Sequence, residues 1–109
     1  MAESEREALL RREFNGQTAR IPWRELQAYY AHGSVIRVAP ALDLVEVAVQ
    51  LGLDNARQFE TWTRRGDVAP VSDTEALAWI ESDALLWAVV APPWVLVQEA
   101  ASGDRAESP

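Results

Sequence analysis

The sequence predicts an α+β domain in which three or four strands form a mainly antiparallel sheet with about four helices packed on it. Three observations carry this reading. Amphipathic segments bounded by cap residues alternate with short β-branched runs, and the run Leu85–Ala91 is almost continuously apolar, as a strand covered on both faces must be. Glycines and prolines fall at the junctions between these segments. Residues 1–100 read as one such domain, and 101–109, made of Ala, Ser, Gly, Asp, Arg, Glu and Pro, read as a disordered tail.

The elements follow in order. Ser4–Phe14, rich in Glu, Arg, Ala and Leu with charges at near-helical offsets, predicts a first helix ended by Asn15-Gly16. A second helix opens at Pro22, carries Trp23, Leu26 and Tyr30 on one face, and stops at Gly33. Val35, Ile36 and Val38 predict a strand, and Pro40-Ala41-Leu42-Asp43 supplies a turn. From Leu44 to Leu51 the residues Val45, Val47, Val49 and Leu51 alternate with a partly polar set, which predicts a second strand and makes Val35–Leu51 an antiparallel hairpin. Asp54 or Asn55 caps a third helix with the stripe Ala56, Phe59 and Trp62, closed by Arg64-Arg65 and Gly66. Asp67–Val71 is a connector or short edge strand interrupted by Pro70. Ser72-Asp73-Thr74-Glu75 matches the S-x-x-E capping box of a fourth helix that carries Ala76, Leu77, Trp79 and Ile80 and ends near Asp83. Periodicity alone allows Leu85–Ala91 to be a strand or a buried helix, and its β-branched and aromatic content favours the strand; Pro92-Pro93 interrupts the ladder, and Trp94–Gln98 continues as a separate or bent strand.

A chain of 109 residues can bury a core without staples. It contains no cysteine, which removes disulfides, thiolate nucleophiles, iron–sulfur clusters and cysteine-ligated zinc. The charged N-terminus lacks the apolar region of a signal peptide, and no apolar stretch approaches the ~20 residues of a bilayer span, so a cytoplasmic protein without a membrane partner is expected. The formal charge of −7 argues against a phosphate-backbone binder, so no nucleic-acid partner is expected. An acidic mimic of nucleic acid would require a contiguous negative stripe, which the sequence does not display. All ten basic residues are arginine, a bias that suggests genome composition before mechanism.

No reactive constellation emerges. His32 is the only histidine, which excludes a multi-histidine metal site; just before Gly33 it reads as a residue capping a helix C-terminus. No G-x-S-x-G surrounds any serine, and the five glycines are isolated, so neither a nucleophile elbow nor a phosphate loop is present. The carboxylates Asp73, Glu75, Glu81 and Asp83 could in principle hold magnesium or calcium. However, the first two suit the first turn of a helix and the last two a solvated helix end. No catalytic residue, metal or cofactor is assigned.

Arg37 and Glu46 lie in the two halves of the proposed hairpin, either as a surface ion pair or as a polar spot that receives a ligand, with Asp43 in the turn between them. The five tryptophans are many for this length. Trp62 and Trp79 sit on helical stripes and belong to the core, and Trp87 joins them. Trp23, at a helix start, and Trp94, after the diproline, are expected to be partly exposed and to anchor an interface.

The strings Ala19-Arg20-Ile21-Pro22-Trp23-Arg24-Glu25-Leu26, Leu42-Asp43-Leu44-Val45-Glu46-Val47-Ala48, Leu86-Trp87-Ala88-Val89-Val90 and Pro93-Trp94-Val95-Leu96-Val97-Gln98-Glu99 resemble a family of short bacterial proteins. It is the family called domain of unknown function 2288. The resemblance spans Phe14 to Glu99 and implies a small bacterial protein, with no reaction, ligand or catalytic residue to carry over.

The leading expectation is a non-enzymatic protein-interaction or ligand-binding module that uses an apolar surface, its partner another protein or a second copy of the chain as a homodimer. The binding residues proposed for it are Trp23, Arg37, Asp43, Glu46 and Trp94. The alternative is a small enzyme using Arg37, Asp43 and Glu46 in a cleft, which requires those three groups to converge.

Overall fold

The computed structural model describes residues 4–99. Five helices and five strands follow one another as α1 (Glu5–Gln17), β1 (Ala19–Pro22), a 3₁₀ turn (Trp23–Leu26), α2 (Gln27–Ala31), β2 (Val35–Val38), α3 (Leu44–Gly52), α4 (Ala56–Arg65), β3 (Val68–Pro70), α5 (Asp73–Glu81), β4 (Leu85–Ala91) and β5 (Trp94–Gln98). The strands form a single sheet in the order β1-β4-β5-β2-β3. Its pairings are antiparallel except that of β2 with β5, which is parallel, so the sheet is mixed and has five strands where three or four were expected.

Alternation along the central strands divides the interior in two. On β5, Leu96 points to one face of the sheet and Val95 and Val97 to the other. The first face is covered by α1, α3 and α4 through Phe14, Val47, Ala48 and Trp62. The second is covered by the 3₁₀ turn and α5 through Trp23, Leu26, Ala76 and Trp79, with Tyr30 of α2 packed partly buried against them. The result is helix, sheet and helix in three layers, and it explains why β4 and β5 lack a polar face. Each outer strand contains a proline, Pro22 in β1 and Pro70 in β3, and this limits the sheet's capacity to extend by adding a strand.

The largest departure from the sequence reading is Leu44–Gly52, a helix and not the second strand of a hairpin. Asp43 decides it. Its carboxylate accepts hydrogen bonds from the backbone N–H of Val45 and of Glu46, at 3.0 and 3.3 Å, and nucleates the first turn. Leu44, Val47 and Ala48 then fall on one helical face, while Val49 is also buried because α3 lies between α1, α4 and the sheet. The alternation of valines, which mimics a strand, reflects a helix with little solvent-facing surface.

Residues Ala19–Pro22 form β1, where no strand was expected, and helical structure begins after Pro22 with a 3₁₀ turn. The stop read at Asn15-Gly16 does not act, because α1 runs through both residues to Gln17 and ends at Thr18, whose N–H donates to the Phe14 carbonyl. The signals at the ends of α4 and α5 operate as read. Gly66 closes α4 in the left-handed conformation at φ 80°, and Ser72 and Glu75 form the reciprocal capping box of α5. The tail expected at 101–109 lies outside the described residues.

Candidate interaction surface

The helix α5 presents apolar side chains in two directions. At about 100° per residue, Ala76 and Trp79 point one way while Leu77 and Ile80 point roughly a quarter-turn away. The inward pair is buried: Trp79 is 4 % exposed, meets the Trp23 ring edge-on at 5.0 Å between centroids, and donates its indole N–H to Glu99 Oε2 at 2.8 Å. The outward pair is not, for Leu77 is 57 % and Ile80 53 % exposed. Among the described residues the other exposed large apolar side chains are Leu9, Tyr29, Leu85 and Val90. Only Leu77 and Ile80 share an element and a side, since Leu85 and Val90 are an odd number of positions apart on β4 and face opposite ways.

Acidic groups border this strip. Asp73 and Glu81 lie one turn before and one turn after Leu77, and Asp83 follows the helix in the left-handed conformation at φ 53°. Asp73 accepts the hydroxyl hydrogen of Tyr30, and Asp83 pairs with Arg24. The hydrogen bond to Asp73, then burial, then the carboxylate's charge raise the Tyr30 hydroxyl above its ordinary 10.0. Glu75, the remaining acid of this helix's first turn, is held by the capping box and by Arg37 Nε at 2.8 Å. The four carboxylates weighed as cation ligands are thus dispersed, and no group of three or more His, Cys, Asp or Glu suited to a metal occurs among the described residues.

Arg37 therefore faces the α5 layer, whereas Glu46 and Asp43 belong to α3 and its cap in the other layer. The hairpin that was to make Arg37 and Glu46 neighbours does not exist, and the convergent cleft of Arg37, Asp43 and Glu46 is not formed. Glu46 pairs instead with Arg11 of α1, which also reaches Glu7 at 3.0 Å. Gln50 donates to Glu46 at 2.8 Å and Asn55 to Gln50 at 2.7 Å, so one hydrogen-bonded chain ties α1 and α3 to the cap of α4. Burial pushes the Glu46 carboxyl up, but the bonds from Arg11 and Gln50 and the charge of Arg11 outweigh it, leaving the group below its ordinary 4.5. Its folded value being depressed, the stability it contributes is present above 4.5 and is lost as pH falls through the lower folded value. Glu46→Gln is accordingly expected to flatten the decline of the urea midpoint below that pH while leaving the profile above pH 6 parallel to the parent's.

An open cleft of about 470 Å³ lies beside this network, lined by Ala8, Arg11, Arg12, Asn15, Asp43 and Val45. Of the five residues singled out from sequence, only Asp43 lines it, and one of its carboxylate oxygens is already engaged in capping α3. Trp23 is 0 % exposed, which corrects the expectation of a partly exposed anchor: the 3₁₀ turn lays its ring against Trp79 and Tyr30 on the sheet. Trp94, at the start of β5 after the cis Pro92–Pro93 bond, is half-buried against the α3 and α4 side of the core. Trp62 is buried and Trp87 half-buried, with the Arg20 guanidinium 5.0 Å from its ring centroid. His32 is the C-cap of α2, its Nδ1 donating to the Ala28 carbonyl at 2.8 Å.

Leu77 and Ile80 were not singled out as a site, although a signal was present. Apolar residues at 76, 77, 79 and 80 subtend an arc of ~160°, wider than the ~100° stripe one buried face requires.

The model of the protein family of unknown function DUF2288 matches residues 9–99. The chain belongs to the DUF2288 family. The NMR solution structure of PA1075 from Pseudomonas aeruginosa is similar to this DUF2288 chain, with 39 % sequence identity over 94 % of this chain and 95 % of that one, at a TM-score of 0.77. Comparison with curated proteins finds no match. The DUF2288 match takes in all of α5 and its two neighbours in the same layer. Among the described residues no helix is long and apolar enough to cross a membrane.

Proposed function

We propose that this DUF2288 domain is a non-enzymatic protein-interaction module of the cytoplasm and that the outward side of α5 is its binding surface. The observation that supports the reading most is the exposure of Leu77 and Ile80, 57 % and 53 %, on a helix whose buried side is already complete with Ala76 and Trp79. Apolar residues on a second side of a helix add nothing to a core they do not reach, and paired apolar side chains at i and i+3 suit the anchors of a protein interface. Arg37 and the buried Trp23 support that surface from beneath, through Glu75 and Trp79. Asp43 and Glu46 serve the opposite layer, and Trp94 its core.

The test is photo-crosslinking in cells from a benzophenone side chain placed at position 77 or at position 9, where Leu9 offers 49 % exposure on the other helical layer. An adduct of discrete mass is expected from position 77, diminished several-fold by Ile80→Gln, with none from position 9. Equal adducts from both positions, or none from 77, would remove the reading.

A further inference from the structure

We infer that the partner of the α5 surface is a basic amphipathic helix of another protein, which places two apolar side chains on the Leu77–Ile80 strip and Lys or Arg beside Asp73 and Glu81. The inference rests on the interaction reading above and adds the chemistry of the partner. Charge supplies the argument. Asp73 and Glu81 bracket Leu77 one turn away on each side, and among the described residues the cations paired with acids at the two ends of the helix, Arg37 and Arg24, are neutralised by Glu75 and Asp83. The strip is thus apolar at its centre and negative at both ends.

A second copy of the chain fits poorly. Two such strips packed face to face about a two-fold axis would oppose Asp73 and Glu81 of one copy to the same acids of the other, in molecules that each carry −7. Extension of the sheet between copies is limited by Pro22 and Pro70 in its outer strands. A helical segment with apolar residues at i and i+3 or i+4 and basic flanks complements both features, and electrostatic attraction would hasten its encounter with the acidic domain.

The experiment titrates the full chain with three blocked helical peptides of equal length: a basic amphipathic one, an acidic one with the same apolar stripe, and a basic one with the stripe scrambled. Binding is followed by calorimetry and by backbone amide shifts. The basic amphipathic peptide is expected to bind with a dissociation constant in the micromolar range and to shift residues 73–81. Binding should weaken about tenfold between low and high salt, and be lost in Leu77→Gln/Ile80→Gln with the amide spectrum otherwise that of the folded parent. Equal binding by the acidic or scrambled peptide, or shifts confined to other elements, overturns the inference. Failure of all three peptides while position 77 still crosslinks a partner in cells overturns the partner class and spares the interaction reading; failure of the crosslink removes both.

Discussion

Replacing Trp23 with alanine is expected to cost about 3–5 kcal/mol of stability, a large part of the ~5–15 kcal/mol that holds a domain folded. The ring is wholly buried between Trp79 and Tyr30, with centroids at 5.0 and 5.5 Å, and it closes the layer that carries α5. Its indole N–H meets no hydrogen-bond acceptor among the described residues, so Trp23→Phe forfeits volume without forfeiting a bond to them and should cost distinctly less than the alanine variant. The corresponding change at Trp79 removes the bond to Glu99 as well and should cost more than at Trp23 for the same loss of ring. Urea unfolding of the three variants measures this order directly.

The second large effect separates a helical from an extended segment at Leu44–Gly52. Val47 is 0 % exposed and Val45 half-exposed at the rim of the α1–α3 cleft, although a strand would turn both to the same side. Val47→Asp buries a carboxylate without a cation and is expected to leave little folded protein, a loss of at least about 4 kcal/mol. Val45→Asp places the same charge in the first turn of a helix beside Arg11 and Arg12, and should change stability by no more than about 1 kcal/mol. Circular dichroism and urea titration distinguish the two outcomes; equal damage from both substitutions would restore the strand.

The same segment shows where the sequence was ambiguous. Val45, Val47, Val49 and Leu51 satisfy a period of two while Leu44, Val47, Ala48 and Leu51 satisfy a helical one, and the tie is broken by Asp43, whose cap was read as part of a turn. A helix enclosed by two others and a sheet need not be amphipathic, so periodicity alone could not identify it. β1 was illegible for a different reason. Its four residues are exposed or half-exposed, and its partner, β4, lies far along the chain, so pairing and not local preference makes it a strand. By contrast, α5, β4, β5 and the close of α4 were legible because their signals are chemical and local: a capping box, a run of apolar β-formers, a diproline, and a glycine at positive φ.

The site was less legible than the fold. Tryptophan is a common interface anchor, and the expectation for Trp23 followed from its place at a helix start, a position that says nothing about the sheet face beneath it. Arg37 and Glu46 were joined by a hairpin that α3 replaces. Leu77 and Ile80 were counted with Ala76 and Trp79 as one stripe, when the arc they cover shows that only half of it can reach the core. The surplus apolar surface is then the feature the fold does not require, and it is on this that the functional reading stands.

That surplus can be measured by equilibrium urea unfolding of the double variant Leu77→Gln/Ile80→Gln, in which both side chains become polar without loss of helix-forming tendency. If the pair serves a partner and not the core, the double variant should unfold within about 1 kcal/mol of the parent. A loss of about 2 kcal/mol or more, the range of a buried leucine removed, would show that the strip belongs to the fold and contradict its assignment as a binding surface.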